Sequence, residues 1–121
     1  INTLYEGAEI IRKVGYDNLK IMADTFHMNI EEVKIGKSIV DNGQFINYIH
    51  FADSNRLAPG QGHMNFNEIF SSLKTIGFNG WASIEILPKP DADTAARKAA
   101  EFILPLIKKY NKQLEKGEVH E

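Results

Sequence analysis

Phe45-Ile-Asn-Tyr-Ile-His-Phe51 is the stretch on which the fold turns. Its apolar residues are aromatic or β-branched, the composition of a buried strand. His50 interrupts the run near its C-terminal end. Two other runs share the arrangement. Leu19-Lys-Ile-Met-Ala23 is followed at once by Asp24, and Trp81-Ala-Ser-Ile-Glu-Ile86 carries Glu85 near its close. The spacing predicts strands over 19–23, 45–51 and 81–87.

Helical patterns separate these strands. Asn2 or Thr3 can cap a helix running to about Val14, with Leu4, Ala8, Ile11 and Val14 inward and Gly15 as its stop. Asn29-Ile-Glu-Glu32 has the form of a capping box and opens a second helix that ends before Gly43. Asn65-Phe-Asn-Glu68 repeats the form and starts a third, with Phe66, Ile69, Phe70, Leu73 and Ile76 inward. Pro88 and Pro90 break the last strand. Asp91 or Asp93 then opens a long helix with Ala96, Ala99, Ala100, Ile103, Leu106, Ile107 and Tyr110 on its buried stripe and Pro105 bending it. From about residue 112 a polar tail frays.

The predicted order is α-β-α-β-α-β-α: three parallel strands alternating with four helices in a single α/β domain over 1–121. Parallel sheets need both faces covered, and unpaired apolar edges invite association. Three strands therefore predict a segment that completes a larger barrel or pairs with another copy of itself. The chain begins at Ile1 without an initiator Met, which agrees with processing, a boundary or a fragment.

Bulk composition narrows the function classes. Of 121 residues 43% are hydrophobic and 25% charged, ordinary for a globular domain. A formal net charge of −2 gives no basis for nucleic acid or an anionic membrane as partner. No apolar stretch is long enough to span a bilayer, and no signal peptide precedes the first helix. Cysteine is absent, which removes thiolate chemistry and fits a cytoplasmic protein.

In a barrel of parallel strands, chemistry is done at the C-terminal ends of the strands. Asp24, His50 and Glu85 all fall there, and two carboxylates with an imidazole can hold a divalent metal. Each also has a plainer reading. Asp24 can be a cap, with His27 a solvated side chain; His50 can be a satisfied structural histidine, and Arg56 a surface charge. Glu85 lies between Ile84 and Ile86, where an unpaired carboxylate costs several kcal/mol, on the order of a buried ion, so it needs a salt bridge, a metal or a substrate. Pro59-Gly-Gln-Gly62 can bring backbone close to a ligand but lacks the ending of a phosphate loop. Phe78 and Trp81 read as core, and His63 as a loop residue.

Asp24-Thr-Phe-His-Met-Asn29, His50-Phe-Ala-Asp-Ser-Asn-Arg56, Pro59-Gly-Gln-Gly-His63 and Ser83-Ile-Glu85 together resemble the xylose-isomerase-like TIM-barrel superfamily, above all ketose 3-epimerases acting on D-tagatose or D-psicose. The resemblance runs from Ile1 to about Tyr110 and implies the C-terminal half of a (β/α)8 barrel. It implies Asp24, His50 and Glu85 as metal ligands, Mn2+ first, Mg2+ or Co2+ next and Zn2+ less so. It makes His27 and Arg56 substrate contacts and Glu85 a catalytic carboxylate. The implied chemistry is proton abstraction beside a ketose carbonyl through an enediolate. The family's fourth ligand, a second Glu, belongs to an earlier strand that this sequence lacks, so the chain alone is expected to be inactive. The partners implied are a ketose or related sugar and the missing N-terminal half. Three other readings compete. The same metal logic serves an inositol-catabolism or hydroxypyruvate-type isomerase. An endonuclease IV-like nuclease would need a further Asp-x-His where this chain has Asn55-Arg-Leu57. A catalytically silent half-barrel that self-associates is the third.

Overall fold

The computed structural model describes residues 2–119, with side chains through residue 111. The polar tail expected from about residue 112 lies outside the described side chains. Helix α1 (Leu4–Val14) opens on a capping box: the Thr3 hydroxyl accepts from the Glu6 amide, and the Glu6 carboxylate accepts from the Thr3 amide. Gly15 closes it in the left-handed region, its N–H donating to the Ile11 carbonyl. Leu4, Gly7, Ala8 and Ile11 are buried, whereas Val14, expected inward, is exposed at the stripe's margin in the last turn.

Strand β1 (Ile21–Asp24) begins later than expected and takes in Asp24. The single helix expected between the first two strands is two. Helix α2 (Thr25–Glu31) starts directly after β1, and α3 (Ile35–Asn42) follows, ending in a 3-10 turn at Gly43–Phe45. Asn29 therefore lies inside α2 and opens nothing. Asp24 is the cap, its carboxylate accepting from the His27 amide at 3.2 Å. Glu32 does not close a box on Asn29. It ends α2 and accepts the orphan amide of Leu4 at 2.8 Å, tying α2 to the start of α1.

Strands β2 (Ile46–Phe51) and β3 (Trp81–Ile84) complete one parallel sheet in the order β1-β2-β3. Ile21 pairs with Ile46 but Met22 with Tyr48, so Asn47 is an extra residue that shifts the alternation of β2. This bulge lets Ile46 and Ile49, three apart, both be buried. Ala23, Ile49 and Phe51 face the helices. Phe51 stacks on Phe70 and meets Phe66 edge-on, both from α4 (Phe66–Thr75), which Asn65 caps through the Glu68 amide. Helix α5 (Ala92–Val119) is capped by Asp91, which accepts from the Thr94 amide at 2.8 Å, and buries Ala95, Ala99 and Ile103. Ala96 and Ala100, expected inward, instead line an open apolar cleft against Ile84 and Ile86, because β3 has no further strand beside it.

By alternation the other sheet face carries Met22 and Asp24, Tyr48 and His50, Trp81 and Ser83. The Tyr48 hydroxyl lies 3.3 Å from the Ser83 hydroxyl on that face. Among the described residues no helix covers it: Met22 is 53% and Trp81 78% exposed. Trp81 is thus not a core residue, contrary to the sequence expectation. The architecture is three parallel strands backed by helices on one face, a part of a TIM barrel whose interior side is open. Among the described residues no helix is long and apolar enough to cross a membrane.

Candidate metal and substrate site at the strand ends

The register brings the site residues to one rim. Asp24 pairs with His50 across β1 and β2, and His50 with Ser83 across β2 and β3. Both Asp24 and His50 end on the uncovered face. The two oxygens of Asp24 do different things. Oδ1 accepts from Arg56 Nη1 at 2.9 Å and from the His27 amide, while Oδ2 lies 3.5 Å from His50 Nδ1. The Asp24 side chain is 9% exposed and those of His50 and Arg56 about a fifth, so the three form a partly desolvated cluster. Tyr48 meets the His50 ring edge-on at 5.4 Å and fixes its plane. Phe26 does the same for the Arg56 guanidinium, which lies 5.0 Å from its ring centre.

His27 and Glu85 stand differently. His27 reaches Asp24 only through its backbone amide, and its ring, exposed, packs edge-on against Phe26. Glu85 follows β3, with its amide donating to the Phe51 carbonyl at 3.2 Å, so pairing with β2 continues through it. It is exposed rather than held in an apolar strand, because the face it shares with Ser83 is uncovered. Among the described residues no three His, Asp or Glu side chains converge closely enough to hold a metal ion. What is brought together is the pair Asp24–His50. Glu85 lies on the same rim, two residues beyond the register partner of His50, about 7 Å along the strand.

The donor set suits a divalent cation nonetheless. A carboxylate oxygen and an imidazole nitrogen 3.5 Å apart can share one ion, and oxygen with nitrogen is the set that Mn2+, Mg2+, Co2+ and Zn2+ accept. Arg56 occupies Oδ1 and leaves Oδ2, the oxygen facing His50, on the ligand side.

Sequence reasoning missed Asp53. It is fully buried, and its carboxylate accepts from the amides of Ser54 (2.7 Å), Gly60 (2.8 Å) and Met64 (3.0 Å). Burial pushes this carboxyl up, but the backbone N–H groups of Met64, Ser54, Gly60 and Gly62 outweigh it and leave the group below the ordinary carboxylate value. The available signal was a loop crowded with backbone donors, Gly60-Gln-Gly-His-Met64, a few residues after an Asp inside the His50–Arg56 string. His63 is a loop residue as expected, its amide donating to the Ser54 hydroxyl.

A parallel α/β sheet with a carboxylate–imidazole pair at its C-terminal rim defines a segment of a TIM-barrel-type fold. Residues 1–106 match the family described as xylose isomerase-like TIM barrel, and the chain belongs to that family. It is 42% identical over 85 residues to the D-psicose 3-epimerase of Ruminiclostridium cellulolyticum, an alignment covering 70% of this chain and 29% of that protein. An L-ribulose 3-epimerase structure superposes with a TM-score of 0.84 at 29% identity, covering 95% of this chain and 45% of the other. The IOLI protein, solved with a bound zinc atom, superposes at a TM-score of 0.74 and 27% identity over 91% of this chain and 45% of its own. The chain thus spans less than half the length of these relatives.

Proposed function

We propose that this chain is the C-terminal half of a metal-dependent ketose 3-epimerase. The observation that carries the reading is the Asp24–His50 pair at 3.5 Å, with Arg56 on the same carboxylate, at the strand ends of a chain so similar to a D-psicose 3-epimerase. Asp24, His50 and Glu85 would hold the cation, with Mn2+ the first candidate. A bound divalent cation supplies positive charge that lowers the cost of negative charge developing on substrate oxygens. Glu85, beside the open face, moves a proton on one face of the carbon next to the ketose carbonyl, and inversion needs the proton delivered to the other face by a different group. Arg56 and His27 orient substrate oxygens over that carbon. The opposite face of the planar intermediate needs a second carboxylate from an earlier strand, so these 121 residues alone have little or no epimerase activity. The reading includes a cytoplasmic setting, supported by a sequence without cysteine.

Reconstitution tests it. The chain is mixed with the N-terminal half of a D-psicose 3-epimerase, ending before the segment that corresponds to Leu4–Val14, and supplied with Mn2+. Interconversion of D-psicose and D-fructose is expected with the mixture and with neither half, and is expected to disappear with His50→Ala. Epimerisation by this chain alone at ordinary enzymatic rates, or a folded stoichiometric complex that is inert with every divalent metal, overturns the proposal.

A further inference from the structure

We propose that Asp53 is a positioning residue: its buried carboxylate latches the loop 52–64 so that Arg56 is held on Asp24 and the strand end bearing Glu85 is held beside them. Asp53 is a fully buried carboxylate, and burying a charge is costly unless hydrogen bonds compensate. Here the compensation comes from the loop's own backbone. Oδ1 gathers the amides of Ser54 and Met64, at the loop's two ends, and Oδ2 gathers that of Gly60. The fit is close: a Cβ at Gly62 would stand 2.3 Å from Oδ1, so only glycine lets the chain pass there.

The latch reaches the site through Arg56. The Asp53 carbonyl accepts from the Arg56 amide, and the Asp53 amide donates to the Leu57 carbonyl, both at 3.0 Å. Between them Arg56 sits at φ 64, a left-handed conformation that a non-glycine residue keeps only where its surroundings impose it. This geometry turns the guanidinium back onto Asp24. It also aims the Arg56 carbonyl at the Leu87 amide, 2.9 Å away and two residues beyond Glu85. One buried carboxylate therefore sets the loop conformation on which both Arg56 and the Glu85 segment depend. The latch rests on the functional reading above only for the importance of those two residues.

The test reads arginine accessibility in the intact chain. The sequence has three arginines, of which Arg12 and Arg97 are exposed and act as internal references. Phenylglyoxal modification, followed by peptide mass mapping, is expected to label Arg56 more slowly than either. Asp53→Asn keeps the size and removes one acceptor oxygen. It is expected to accelerate labelling of Arg56 by about tenfold, the scale of a lost charge-assisted hydrogen bond, with Arg12 and Arg97 unchanged. A folded Asp53→Asn protein whose Arg56 rate does not move would show that Asp53 serves stability alone. Should that variant unfold, amide exchange in the unmodified chain decides: Gly60, Met64 and Leu87 are expected to be protected and to open together, and free exchange at Gly60 and Met64 overturns the latch. Neither readout involves metal or turnover, so a failed epimerase reading and a failed latch are told apart.

Discussion

Asp24 caps a helix, pairs with Arg56 and faces His50, and two substitutions separate the cap from the charge. It caps α2 through the His27 amide and presents Oδ2 beside His50. Asparagine caps as well as aspartate, so Asp24→Asn keeps the cap and loses the charge facing Arg56, whereas Asp24→Ala loses both and is expected to be about 1 kcal/mol less stable in denaturant unfolding than Asp24→Asn for the missing cap. Both are expected to weaken Mn2+ binding, measured by calorimetry on the reconstituted complex, because the ligand charge is gone in each. Asp53 gives a second expectation, in pH. Its folded-state carboxyl lies below the unfolded value of 3.8, so the stability it contributes is complete above that value and is lost as pH falls through the folded one. Acid unfolding followed by circular dichroism is expected to be less steep below about pH 4 in Asp53→Asn than in the wild type. The sequence made Asp24, His50 and Arg56 legible because each ends a run or belongs to a motif string. Asp53 lies inside the same string, but its role depends on amides up to eleven residues away closing over it, which no local pattern reveals.

At the scale of elements, what could be read depended on whether a signal had competitors. Asn65 caps α4 as its sequence says, with nothing upstream offering an alternative. Asn29 had one: Asp24, five residues earlier, captures the chain as it leaves β1, and the helix begins before the apparent capping box is reached. The strands were visible as apolar runs. Their register was not, because the bulge at Asn47 is set by the neighbouring backbone. On the other side of β2, Gly80 lets the backbone of Asn47 come close. A Cβ there would lie 1.9 Å from the Asn47 carbonyl oxygen, a backbone atom that can move only by shifting β2 against β3. Gly80→Ala is therefore expected to destabilise the fold by about 1–3 kcal/mol, the range of overpacking into fixed backbone, seen as a lower denaturation midpoint. Gly77→Ala, where a Cβ meets nothing within 4 Å, isolates the purely conformational cost at φ 65.

The whole molecule is a sheet covered on one side. Met22 and Trp81 stand on the uncovered face beside Asp24 and His50, and β1 and β3 each keep a free edge. Sequence reasoning anticipated this from three apolar parallel strands that cannot shield themselves. What it could not supply was which residues would be exposed, since Trp81 in an apolar run reads as core until the uncovered sheet face is seen. The same exposure provides a reporter, because Trp81 is the chain's single tryptophan. Binding of a complementary N-terminal half is expected to bury it and to move its fluorescence emission to shorter wavelength, saturating at one equivalent. Self-association of this chain would also bury it, but the shift would then grow with the chain's own concentration and need no second component. Titrating the complementary half at a fixed low concentration of this chain, beside a dilution series of the chain by itself, separates the two. A blue shift that follows the added half supports barrel completion. One that grows with the chain's own concentration and reverses on dilution, with no added half, favours the silent self-associating half-barrel. An emission maximum indifferent to both would mean that the open face is not where the remaining barrel docks, and the proposed half-enzyme would lose its structural basis.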